Sequence, residues 1–155
     1  MRFESWKKIS ASVLVIAVGG FILFILAFLL AALTARAFEF LAGMVSGEGS
    51  APIDQMWWKV AYVLAVALLS YGIFRSTLND LVKAAYLPMP LMVLFVFGGA
   101  VLYGQPTWVL LSLESAVVLL VALYLYYKKQ PWQFYFALAY AAVLAAYIAL
   151  AGVEI

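Results

Sequence analysis

The residue best equipped to do chemistry sits in an unlikely solvent. Glu114 lies within "TWVLLSLESAVVLLVALYLYY", Thr107 to Tyr127, a run long and apolar enough to cross a bilayer. Ser112 and Ser115 flank it. Seven residues past Thr107, the carboxyl stands about 10 Å below the outer membrane surface at 1.5 Å of rise per residue. Its side chain is too short to escape upward, so it must be neutral, paired or turned toward a watery cavity. A group held this way is suited to binding a proton or a cation, or to general acid–base work. The competing reading is a strut, an acid that ties helices together and meets no ligand.

Counting inward from the outer ends of the other apolar runs finds what stands level with it. Tyr62 lies at that depth, with Lys59 one turn above. Gly98 and Gly99, then Ala145, Ala146 and Tyr147, come from two further runs, and Arg36 caps the first. The expectation is a small polar pocket, open to the outside, formed by Glu114, Tyr62, Lys59, Ser112, Ser115, Tyr147 and Arg36, with the glycines making room.

A second constellation is basic. In "RSTLNDLVK", Arg75, Asn79 and Lys83 recur at four-residue spacing and share a face if the stretch is helical. With Lys128 and Lys129 they form a set able to hold a phosphate headgroup or another anion. The plainer reading is that these charges only orient the chain in the membrane.

Other chemistries are excluded by what is missing. The chain has no cysteine and no histidine, which removes disulfides, thiol nucleophiles, haem ligation through histidine and the usual zinc sites. One acid beside serines, with no second carboxylate on its face, is a poor catalytic set. No cofactor, no metal and no enzymatic activity are expected. The net charge of +2 carries no nucleic-acid footprint.

The elements that position these residues follow from composition. Of 155 residues, 69% are hydrophobic and 10% charged, against about half and a quarter for a soluble domain. One buried core cannot hide that much apolar surface. The mean hydropathy of +1.12 agrees. The expected fold is all-α, a polytopic integral membrane helical bundle forming one domain over residues 1–155, with five spans near 9–35, 57–74, 86–103, 107–127 and 132–152. "SGEGSAP", "GQP" and "KKQP" break the runs between them. The first apolar run, Ile9 to Leu33, is too long for a signal peptide and reads as a retained signal anchor.

With the N-terminus inside, Arg2, Lys7, Lys8, Arg75, Lys83, Lys128 and Lys129 fall on the cytoplasmic side, and only Arg36 and Lys59 outside. Seven against two predicts N-inside and C-outside. Trp6, Tyr86, Tyr124, Tyr126, Tyr127 and Trp132 are then expected at the inner interface, and Trp57, Trp58, Tyr103 and Trp108 at the outer one. The setting implied is a multi-pass protein of a prokaryotic plasma membrane.

Three finer features complete the reading. Ala137, Ala141, Ala145 and Ala149 make a small-residue stripe, for packing within the chain or for a homo-oligomer contact. "LPMP" puts Pro88 and Pro90 in the first turn of the third span, where a proline loses little. Phe38, Phe40, Leu41 and Met44 belong to a helical extension, an interfacial helix over the pocket, or an exposed connector. Beyond the lipid bilayer, the partners expected are copies of the chain or other membrane subunits. Three functions fit: a carrier or channel using Glu114, a non-catalytic accessory or assembly subunit of a larger membrane complex, and, least supported, a lipid-active enzyme.

Overall fold

The architecture comes from a computed structural model, which describes residues 2–45, 56–102 and 105–151. Of these, 91% are helical and none is in a strand. The helices are α1 (Arg2–Val45), α2 (Met56–Arg75), α3 (Asp80–Tyr86), α4 (Pro88–Val101), α5 (Thr107–Tyr127) and α6 (Trp132–Ala151). Among the described residues, four segments are long and apolar enough to cross a membrane, as in a multi-pass membrane protein: Trp6–Leu41, Asp80–Val101, Thr107–Tyr127 and Trp132–Leu150. The remaining expected span corresponds to α2, 20 residues long. The "SGEGSAP" segment, Tyr103 and the rings of Trp57 and Trp58 lie outside the described residues.

The third span begins earlier than expected. Asn79 ends the α2–α3 turn by capping α3, its side-chain oxygen accepting from the Leu81 amide at 3.3 Å. The backbone then runs helically to Val101 with one interruption at Leu87, because Pro88 has no amide hydrogen to give the preceding turn. Arg75 ends α2 and Lys83 lies in α3, so Arg75, Asn79 and Lys83 do not share one helical face.

This α3–α4 unit is the centre of the molecule. Of its most apolar stretch 56% is buried, against 17% for α1, 11% for α5 and 28% for α6. Around it stand α2, α1, α6 and α5. Neighbours in that order pack on one another, α1 also lies on α3 and α4, and α6 on both as well. The ring is not closed, since α2 and α5 form no packed pair among the described residues.

Close approach at one point depends on glycine. A Cβ on Gly20 would stand 3.1 Å from Pro88 Cγ and 3.4 Å from the Ala85 carbonyl, so glycine lets α1 seat closely on the α3–α4 junction without the neighbours giving way. Near this crossing, Ile16, Ala84, Ala85 and Leu91 join Leu125 and Phe134 of α5 and α6 in the larger core cluster. A second cluster joins Ala27 of α1, Tyr62 and Val66 of α2, and Met89 and Val93 of α4. The alanine stripe faces inward, with Ala137, Ala141 and Ala145 buried in the larger cluster, so the stripe serves packing within the chain.

The contacts also order the helices along the bundle axis. Gly20 meets Pro88, while Ala27 accepts from Tyr62, whose ring lies 5.5 Å from that of Phe97. Thus α1 and α4 run parallel and α2 antiparallel to both. If Gly20 is level with Pro88, Val101 is level with about residue 33, and the rest of α1 rises about 18 Å higher. The 33–45 stretch is therefore a continuation of α1, and Phe40, Leu41 and Met44 are exposed along it rather than folded over a pocket.

Candidate functional site

Glu114 is the most conspicuous side chain of α5. It lies on the stripe that carries Val117, Val118, Val121 and Leu125 into the core, and only 8% of it is exposed. The α5–α6 turn is tight, and Glu114 precedes Lys128 by as many residues as Ala145 follows Pro131. Both therefore stand about 21 Å from the turn, placing the acid at the depth of the buried alanines. Among the described residues, no side chain or backbone group hydrogen-bonds or ion-pairs with it.

The expected pocket does not assemble around it. Arg36 is 85% exposed and lies 3.8 Å from Glu39, one turn along α1. Tyr62 is buried, but its hydroxyl donates to the Ala27 carbonyl at 2.5 Å, tying α2 to α1. Lys59 is half-buried on the same helix and already engaged. Both belong to α2, which packs on α1 and α4. Counting depth carries no information about position around the bundle axis.

The remaining members turn away or bond locally. Tyr147 is 68% exposed on the outer side of α6. Ser112 is exposed and donates to the Trp108 carbonyl one turn back at 2.7 Å, and Ser115 is exposed too. A serine in an apolar helix commonly satisfies itself this way. Gly98 and Gly99 do face α5, yet the neighbours of their missing Cβ atoms are Leu113 and Leu110, at 3.5 and 3.8 Å. Leucines occupy the room expected for the acid.

The polar groups that do meet inside the bundle lie elsewhere. Ser70, five residues before the end of α2, donates to the Val66 carbonyl at 2.7 Å and stands 3.2 Å from the Tyr86 hydroxyl. The Tyr86 ring packs edge-on against Phe74. Tyr86 was expected at the inner interface and is instead buried, because α3 carries it into the core. Trp6, Tyr124, Tyr126, Tyr127, Trp132 and Trp108 are exposed, as rings at membrane boundaries should be. A polar residue inside "LLSYG" was the available sign of the Ser70–Tyr86 tie.

The basic constellation fares differently. Where α2 and α5 fail to close the ring, a cleft of about 310 Å³ opens at the end of the bundle that holds the α5–α6 turn. Lys83 and Asp80 line it from α3 and Gln130 from the turn, while Tyr71 and Tyr124 line it from α2 and α5. Arg75 donates to the Tyr71 hydroxyl at 2.7 Å and lies over that ring at 5.6 Å. Asn79 is spent on its cap. Lys128 and Lys129 are exposed on the turn next to Gln130.

Among the described residues, no cluster of acids suited to a metal ion occurs. No protein-family model, curated protein or solved structure matches the chain.

Proposed function

We propose that the protein is a small membrane carrier or channel in which Glu114 binds a proton or a cation. One observation carries this reading: Glu114 is only 8% exposed as a residue in an apolar bundle, and its carboxyl has no hydrogen-bond or ion-pair partner among the described residues. An acid kept there without compensation costs stability, and membrane-embedded acids of this kind mark ion pathways. The small side chains of α6 at the same depth leave a rearranging bundle little to displace around the carboxyl. On this reading the chain sits N-inside and C-outside in a prokaryotic plasma membrane, since α1 begins, α2 and α5 end, and α3 and α6 begin at the cation-rich end.

The test is flux. Purified protein in liposomes should pass protons or a monovalent cation down an imposed gradient, and Glu114→Gln should abolish it while melting no lower than wild type. Equal flux in the glutamine variant would overturn the role of Glu114.

A second reading, a non-catalytic accessory subunit of a larger membrane complex, is favoured by α1. Its last three turns rise above the other helices and expose Phe40, Leu41 and Met44. Purification from native membranes in mild detergent separates the two readings: a stoichiometric complex that dissociates when Phe40 and Leu41 become serine would favour the subunit.

A further inference from the structure

The cleft between α2 and α5 has two chemically different halves. Its floor is apolar, formed by Leu87, Leu125 and Phe134, all buried, with Val121 above them. Its mouth is polar and mostly cationic. Within the lining, Lys83 and Asp80 offset each other, but Arg75 is held by Tyr71, a lining residue, and the exposed Lys128 and Lys129 immediately precede the lining residue Gln130 in the α5–α6 turn. Two exposed tyrosines, Tyr71 and Tyr124, line it, and phenol rings favour a half-wet boundary. The cleft lies along the α2–α5 seam, where those two helices form no packed pair among the described residues.

An apolar slot with excess positive charge at its mouth is complementary to one class of molecule. We propose that this cleft binds an anionic phospholipid, with its phosphate on Lys83, Lys128 and Lys129 and its acyl chain against Leu87, Val121 and Phe134. A zwitterionic lipid offers the same chain but no net charge to match the mouth. A free phosphate offers the charge but leaves the apolar floor uncovered. Bound in this position, the lipid closes the seam between α2 and α5 and fastens α5, the helix that carries Glu114, to the rest of the bundle. The site stands independently of what Glu114 binds.

Delipidated protein in detergent can be titrated with dioleoyl phosphatidylglycerol, dioleoyl phosphatidylcholine or sodium phosphate, and occupancy read by native mass spectrometry and by melting temperature. Phosphatidylglycerol should bind tightest, and Lys83→Gln should weaken it about fivefold, the effect of one cation at a lipid surface. The double variant Lys128→Gln/Lys129→Gln, on an exposed turn with no packing role, should weaken it further without changing the unliganded melting temperature. Equal affinity for the two lipids, or an undiminished preference in that double variant, would overturn the proposal. Stabilisation by phosphate matching that by phosphatidylglycerol would also overturn it.

Discussion

Two regions of the bundle treat buried polarity in opposite ways. Where α2 faces α1 and the α3–α4 unit, the buried polar side chains Tyr62 and Ser70 are answered: Tyr62 by the Ala27 carbonyl, Ser70 by Val66 and Tyr86. In α5 the inward carboxyl of Glu114 meets no partner among the described residues. In hydrocarbon an unanswered polar group costs stability, whereas an answered one contributes modestly. The first region is built to hold its shape. The second retains a cost that packing does not require, which is why function is sought there and not at the better-bonded tyrosine.

The comparison is sharpened most by deleting a strut. Tyr62→Ala removes a buried ring and its tie, and should lower stability by about 3–5 kcal/mol, while Tyr62→Phe should lose only about 0.5–1.5 kcal/mol. Unfolding in detergent would check both. If phenylalanine proves as damaging as alanine, the hydroxyl matters more than the ring, and the seam is held by polarity rather than packing.

The next effect has the opposite sign. Glu114→Leu puts an apolar residue at a mostly buried position and should raise stability by about 1 kcal/mol, the low end of the range for an unpaired polar group because the carboxyl keeps some exposure. A loss instead would mean that the acid holds a partner, and the contrast between the two regions would fail. A smaller effect is expected across the Ser70–Tyr86 tie. A double-mutant cycle of Ser70→Ala with Tyr86→Phe should give a coupling of about 0.6 kcal/mol, typical of side-chain hydrogen bonds between membrane helices.

The sequence makes one kind of information plain and withholds another. Apolar runs of about 20 residues and the breakers between them locate α2, α5 and α6 to within a residue or two, because each helix must satisfy its own backbone in lipid. Part of the depth is legible too: Gly98 and Gly99, counted to the level of Glu114, meet Leu113 and Leu110 of α5. Azimuth is not legible. Lipid-facing and core-facing positions are equally apolar, so no hydrophobic face reveals which way Tyr62, Lys59 or Tyr147 points. Three-dimensional packing decides that, and it separates residues that depth alone had gathered. The same limit hid the cleft, whose existence depends on α2 and α5 failing to meet. The cap at Asn79 had a sequence signal, an Asn followed by Asp at a helix start, but the four-residue spacing of Arg75, Asn79 and Lys83 competed with it.

The smallest effect contrasts stability with binding within one residue. At the end of α5 the Gln130 amide donates to the Leu125 carbonyl and the Lys129 amide to Tyr126, each at 3.0 Å, which is the Schellman closure of a helix. The residue that must turn left-handed in that motif is usually glycine. Here it is Lys129, with φ of 52°, the sole non-glycine residue of positive φ among those described. The left-handed conformation costs a lysine about 1–2 kcal/mol, and glycine's extra freedom in the unfolded chain offsets part of the relief. Lys129→Gly should therefore stabilise the protein by about 0.5–1 kcal/mol. If Lys129 serves only to orient the chain, that gain comes alone, because Lys128 and the other inner cations keep the topology. If it serves the cleft, the same variant melts higher without lipid yet binds phosphatidylglycerol more weakly, and the two curves cross as lipid is added. A strained lysine retained where glycine fits better is then explained by what its ammonium holds.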